Sequence, residues 1–246
     1  MNKLYIVGAG PGERKYMSEE AIEAVNSSDL ILGYKVYGEI IKKEFPGKDV
    51  WVNGMGGELE RCEKAFLEAQ KGKTVSIVCS GDAGVYGMAA PTLAMWEKYP
   101  DVDVEVISGN TAALTGGALL GAPLNHDFAV ISLSDLLTPW ELIKKRVECA
   151  AIGDFCIALY NVRSRGRPHY LKEACEILLK YKSKDTVCGY VRNIGREDTE
   201  TVTTTLDELK DMELDMFCTV FVGNEKTYVS MGKMITPRGY ENKKHD

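Results

Sequence analysis

Apolar residues arrive in short unbroken runs through the first half of the chain, and glycine closes them. Leu4-Tyr5-Ile6-Val7 ends at Gly8, and Leu30-Ile31-Leu32 ends at Gly33. Runs of this kind predict strands buried on both faces of a sheet. Three more strands are expected over residues 50–52, 74–79 and 102–107. Between them the pattern changes to helical spacing. Ser18 caps one helix, followed by Glu19, Glu20, Ala21, Ile22 and Val25, and others are expected over 58–71 and 89–98. Strands alternating with helices predict a mostly parallel sheet covered on both sides.

The rhythm breaks near residue 122, at Gly121-Ala122-Pro123-Leu124. Just before it, residues 110–120 are small and apolar and predict a tightly packed helix. Beyond it, strands are expected over 128–131, 155–159 and 186–191, with helices over 139–151 and 170–180. Short links join the late strands 201–204, 219–222 and 228–230, which predicts antiparallel pairing. The chain therefore reads as two α/β lobes, 1–122 with a mostly parallel sheet and 123–246 with a mixed one. The tail from 241 onward is polar and expected to fray.

Composition narrows the classes. The chain has 246 residues, 45% of them hydrophobic, enough for a sizeable core. A net charge of −6 argues against a nucleic-acid surface, which needs a basic face. The seven cysteines form no CxxC pair and mostly lie in apolar runs, so they read as buried thiols of a reducing compartment. His126, His169 and His245 are dispersed, and no protein-bound metal is expected. The sequence enters its first strand directly and holds no 18-residue apolar stretch, so a cytoplasmic protein without membrane contact is expected.

Glycine-rich turns carry the candidate chemistry. Gly8-Ala9-Gly10-Pro11-Gly12 follows the first strand. A dinucleotide fingerprint would need glycine or alanine where Glu13 stands. Pro11 also removes an amide, and Gly33-Tyr34 lacks the acid that grips a ribose. The second turn, Ser80-Gly81-Asp82-Ala83-Gly84-Val85-Tyr86-Gly87, carries a carboxylate at the end of a strand. A third, Gly109-Asn110-Thr111-Ala112, follows the next strand. Three such turns at strand ends predict one ligand crevice, because ligands of open α/β sheets sit there. Asp82 either bonds the ligand or caps the helix that follows.

At these residues the sequence resembles the tetrapyrrole methylase family, along nearly its whole length. The family's G-x-G-P-G turn is residues 8–12, its G-D-P turn is Gly81-Asp82-Ala83, and its Thr-Ala pair is Thr111-Ala112. Leu159-Tyr160-Asn161 resembles its Leu-Tyr-Asn segment. Residues 33–37, 80–88, 109–124 and 191–197 are similar to the branch that methylates carbon 17 of precorrin-3B or cobalt-factor III.

The resemblance implies methyl transfer from S-adenosylmethionine with contraction of the macrocycle, in corrin biosynthesis. It also implies the tetrapyrrole methylase fold, a cleft between the lobes for cofactor and substrate, and a homodimer. Its cofactor-binding positions are Pro11, Ser80, Gly81, Asp82, Val85, Thr111, Ala112, Asn161 and Ile194. Tyr34 stands where relatives carry an acid or base, with Lys35 beside it to meet a substrate carboxylate; ordinary loop roles are the alternative. Arg163, Arg165 and Arg167, with Arg192 and Arg196, are either the partners of the substrate's acid side chains or a solvated basic loop. Other readings are a sister methylase acting on another ring carbon or on a non-tetrapyrrole target, and a non-catalytic tetrapyrrole- or nucleotide-binding protein. Replacing Arg163 or Arg165 with alanine is expected to raise the tetrapyrrole KM and leave cofactor binding intact. Unchanged substrate kinetics would count against the basic patch.

Overall fold

The computed structural model describes residues 2–163, 166 and 168–240. It forms two compact units, 1–112 and 113–246. In the first, β1 (Lys3–Gly8), β2 (Leu30–Tyr34), β3 (Val50–Asn53), β4 (Thr74–Cys79) and β5 (Asp103–Ile107) form one sheet in the order β3-β2-β4-β1-β5. Every pairing in it is parallel. Helices α1 (Glu19–Ser27), α2 (Lys35–Glu44), α3 (Glu58–Gln70) and α4 (Ala89–Trp96) connect the strands.

Strand alternation sends neighbouring side chains to opposite faces of this sheet. Leu30, Leu32 and Ile77 pack with Cys62, Ala65 and Phe66 of α3. Ile31 and Val78 pack with Ala21, Ala24 and Val25 of α1 and Ile41 of α2 on the other side. Because both faces are covered, the inner strands β1, β2 and β4 carry nearly continuous buried runs, whereas the edge strand β5 (Asp-Val-Glu-Val-Ile) alternates. Ser18 caps α1, its Oγ accepting from the Ala21 amide at 3.1 Å.

Helix α2 is absent from the sequence expectation, and its composition explains why. Gly38 sits inside it, Val36, Ile40 and Ile41 are β-branched, and no side chain caps its start. The glycine is needed because an added Cβ would run into Val52 of β3. Tertiary packing, and not helix propensity, forms this helix.

The second unit holds α5 (Ala112–Leu120, its first residue at the junction), β6 (Gly121–Ala122), β7 (Phe128–Ser132), α6 (Trp140–Ile152), β8 (Cys156–Tyr160), α7 (Tyr170–Leu178), β9 (Val187–Arg192), β10 (Glu200–Thr205), α8 (Leu206–Leu209), β11 (Cys218–Val222), β12 (Tyr228–Ser230) and β13 (Lys233–Ile235). One mixed sheet runs β10-β9-β11-β8-β7, with β7 and β8 parallel and the other pairings antiparallel. A small sheet runs β12-β13-β6.

The units divide ahead of residue 122 because α5 and β6 are held by the second one. Gly116 lies against Phe221 and Ile194, and β6 pairs with β13. Helix α8 is a single turn carrying a capping box, Thr205 with Glu208, a signal that was present in the sequence.

All seven cysteines are free thiols, and Cys149 is the exposed one among the described residues. Burial pushes the Cys79 thiol up to about 11 and that of Cys175 to about 12. These groups act as small core side chains with little thiolate. A thiol reagent is expected to modify one cysteine, Cys149, rapidly in the native protein and the others only on unfolding. Mass mapping of the modified residues checks this.

Candidate functional site

The strand order makes the three glycine turns neighbours. β4, β1 and β5 lie side by side and all run the same way, so the turns that follow them emerge together. The first two turns meet backbone to backbone. The Gly10 amide donates to the Gly81 carbonyl at 3.0 Å, and the Gly81 amide donates to the Gly10 carbonyl at 2.8 Å. Both residues have positive φ, 68° and 66°, the left-handed region where a side chain is strained. Pro11 and Gly12 are buried behind them.

Asp82 ties the third turn to the second. Its Oδ1 accepts from the Gly84 amide at 2.7 Å and its Oδ2 from the Gly109 amide at 2.8 Å. It does not cap α4, whose N-cap residue is Met88. The carboxylate bonds join chain segments 27 residues apart, and bonds to a charged acceptor are stronger than neutral ones.

Space at the junction is fully used. A Cβ on Gly8 would stand 2.8 Å from both the Gly109 nitrogen and the Gly81 oxygen. One on Gly109 would overlap the Gly81 oxygen and stand 2.5 Å from the Gly8 oxygen. The Asn110 side chain adds a bond from its Nδ2 to the Tyr16 carbonyl at 2.7 Å. Ser80, Gly81, Asp82 and Val85 stay partly exposed on this frame, with Thr111 buried and Ala112 partly exposed at its edge.

Tyr34 ends β2, half-buried, its ring 6.0 Å from that of Tyr37, and Lys35 begins α2 exposed. Both lie at the end of the sheet where the glycine turns emerge, because all five strands are parallel.

In the second unit, β7, β8 and β9 also run the same way and end together. Tyr160 ends β8, and its hydroxyl accepts from the Ala113 amide of α5 at 2.5 Å. Asn161 follows with φ 55°, exposed, its Nδ2 donating to Ser132 Oγ at 2.9 Å. Ile194 is buried after β9, against α5 at Gly116.

Arg163 reaches Glu213 at 3.5 Å and the Leu214 carbonyl at 3.4 Å. Arg192 pairs with Asp215 at 2.7 Å, and the Arg196 guanidinium lies over the Phe217 ring. The arginines therefore surround one short segment, 213–217, in half-exposed pairs of little individual strength. Arg165 and Arg167 lie outside the described residues.

One charged residue escaped the sequence reading. Arg61 is 3% exposed on the apolar face of α3. Its Nε and Nη2 donate to Asn53 Oδ1 at 3.1 and 2.7 Å, and its Nη1 points to the Met88 sulfur at 3.4 Å. It thus braces the end of β3 against the far end of the second glycine turn. The signal was its spacing, in register with Cys62, Ala65, Phe66 and Ala69.

A cavity of about 710 Å³ lies elsewhere, where β8 and β9 begin, lined by Asp154, Lys182, Thr186, Asn224 and Thr227 among others. Its buried Lys182 is engaged by Asp154 at 2.6 Å and by the Gly223 carbonyl, and it holds no residue singled out above. Among the described residues, no group of three or more His, Cys, Asp or Glu is placed to hold a metal, and no helix is long and apolar enough to cross a membrane.

A model of the tetrapyrrole (corrin/porphyrin) methylases matches residues 3–210. The chain belongs to that family. As a tetrapyrrole methylase it is 47% identical over 238 residues to a probable cobalt-factor III C(17)-methyltransferase of Salmonella typhimurium, covering 96% of this chain and 99% of that one. It is 37% identical to a precorrin-3B C(17)-methyltransferase of Sinorhizobium, covering 96% of each. Among solved structures, the methyltransferase CobJ superposes with a TM-score of 0.89 at 32% identity, over 95% of this chain and 99% of that one.

Two substitutions probe the junction of the turns. Gly109→Ala is expected to destabilise the protein by about 1–3 kcal/mol, since only backbone atoms surround the added methyl. Asp82→Asn turns an N–H toward a backbone N–H and is expected to cost about 1–3 kcal/mol. Both are read by denaturant unfolding, and a variant as stable as the parent would refute the packing described.

Proposed function

We propose that this tetrapyrrole methylase transfers a methyl group from S-adenosylmethionine to carbon 17 of cobalt-factor III, with ring contraction, in cobalamin biosynthesis. The near full-length likeness to the Salmonella enzyme carries the reading. The greater identity to that relative, 47% against 37% for the precorrin-3B enzyme, favours the cobalt-bearing substrate over the metal-free one. The cobalt belongs to the substrate. A homodimer in the cytoplasm, acting on a corrinoid precursor away from nucleic acid and membrane, fits the family resemblance and the −6 net charge.

The residues present suit the cofactor. Glycine at 8 and 109 lets the three turns pack backbone to backbone, and Ser80, Gly81, Asp82 and Val85 stay partly exposed on them. These residues, with Pro11, Thr111, Ala112, Asn161 and Ile194, would hold S-adenosylmethionine. When bound it supplies an electrophilic methyl on a sulfonium. The work left to the protein is alignment of the nucleophilic carbon with that methyl, worth up to about 7–11 kcal/mol in ideal cases. Turns locked by the Gly10–Gly81 pair and the Asp82 carboxylate provide a rigid frame for this. Tyr34 would exchange a proton during contraction, and Lys35 would meet a substrate carboxylate.

Anaerobic incubation with S-adenosylmethionine and cobalt-factor III, followed by mass and absorbance, tests the reading. Gain of one methyl with the spectral change of ring contraction is expected. Methylation at another carbon would favour a sister activity. Binding without turnover would overturn the enzymatic reading.

A further inference from the structure

The segment between β7 and α6 presents Leu136 and Leu137 to solvent, 72% and 98% exposed. Adjacent leucines this exposed are unfavourable unless something covers them. The loop is not a loose tether, because both feet are fixed. At one foot Leu133 is fully buried, its amide donating to the Tyr160 carbonyl at 2.9 Å. The Asp135 carboxylate then accepts from the Tyr170 hydroxyl at 2.8 Å. At the other foot Trp140 stacks on the same Tyr170 ring, centroids 3.8 Å apart, and its Nε1 donates to Glu173 at 2.8 Å. The two leucines are thus held out on a braced bend.

What surrounds the bend defines its occupant. It rises from the end of the sheet where β8 and β9 also finish. Ser132, at the base of the loop, bonds Asn161, and Arg163 stands two residues further on. Arg192 ends β9 and Arg196 follows it, at the same end. The Arg163–Glu213 and Arg192–Asp215 ion pairs are open to solvent, so a ligand carboxylate can replace those partners at little cost. An apolar ledge at the same sheet end as exchangeable arginines, with β7 and β9 separated by β8 and β11, matches a broad apolar ring edged with carboxylates.

We propose that Leu136 and Leu137 form a docking ledge for the apolar face of the tetrapyrrole substrate, with the arginines at the same sheet end taking its acid side chains. This rests on the substrate reading given above and adds the residues that grip the macrocycle itself. The ledge takes no part in holding the methyl donor.

The test is a Leu136→Ser, Leu137→Ser double variant of the full chain, with a Leu136→Met, Leu137→Met control. Cobalt-factor III binding is followed by absorbance titration, S-adenosylhomocysteine binding by calorimetry, and association state by sedimentation. The serine variant is expected to lose about tenfold or more in tetrapyrrole affinity. Its S-adenosylhomocysteine affinity and association state stay unchanged, and the methionine control keeps the parent affinity. Unchanged tetrapyrrole affinity overturns the ledge. Dissociation of a dimer without loss of tetrapyrrole affinity overturns it too, and makes the face a contact between copies. A parallel loss of S-adenosylhomocysteine affinity, or failure of the methionine control, also overturns it, because the loop would then be supporting structure. If the parent protein binds S-adenosylhomocysteine but no tetrapyrrole, the substrate reading itself fails, which is a different result from equal binding by parent and variant.

Discussion

The backbone contact between Gly10 and Gly81 is the constraint on which the arrangement of the first unit's glycine turns depends. Two reciprocal amide bonds of 3.0 and 2.8 Å bring the turns after β1 and β4 together with no side chain between them. The third turn then comes close enough for Asp82 to hold the Gly109 amide. Glycine at 8 and 109 follows from this, because backbone atoms occupy every direction a Cβ would take. A frame made of main chain has few rotamers to fix, which suits a reaction whose main demand is alignment.

The buried Arg61 extends the same frame outward. Its guanidinium meets the Asn53 side chain and the Met88 sulfur, and Asn53 in turn donates to the Gly57 carbonyl and to Glu60. A positive charge buried beside a neutral amide is costly by itself, and the relay through Asn53 to the Glu60 carboxylate offsets part of that cost. The second glycine turn is therefore fixed at one end by main-chain pairing and near the other by a charged side chain of α3.

The second unit solves a related problem with a mixed sheet. Its turns after β8 and β9 use asparagine at positive φ, 55° at Asn161 and 52° at Asn193, where the first unit uses glycine. Asparagine tolerates that region and keeps a side chain able to bond a neighbour, as Asn161 does with Ser132. At Gly10 an added Cβ would stand 2.8 Å from the Tyr16 carbonyl oxygen, whereas Asn161 is exposed and has room for its side chain.

Local signals were legible without coordinates. The apolar runs ended by glycine, the Ser18 cap and the alternation of strands with helices identified the parallel sheet, because burial on both faces leaves a mark in the inner strands β1, β2 and β4. The glycine turns and Asp82 were visible as candidate segments, and six of the seven cysteines are core residues as their apolar surroundings implied, Cys149 being exposed. Tertiary structure alone decided the rest. The order β3-β2-β4-β1-β5 makes the turns after β1, β4 and β5 adjacent, and no spacing in the chain encodes that order. It also gave Asp82 a partner in Gly109 in place of a helix cap, formed α2 around Gly38 against its propensity, and assigned α5 and β6 to the second unit through Phe221 and β13. Each of these depends on contacts between residues far apart in the chain, whereas caps, turns and apolar periodicity are properties of neighbours. The glycine turns could be found by reading along the chain, but the geometry that brings them into backbone contact exists only once the strands are side by side.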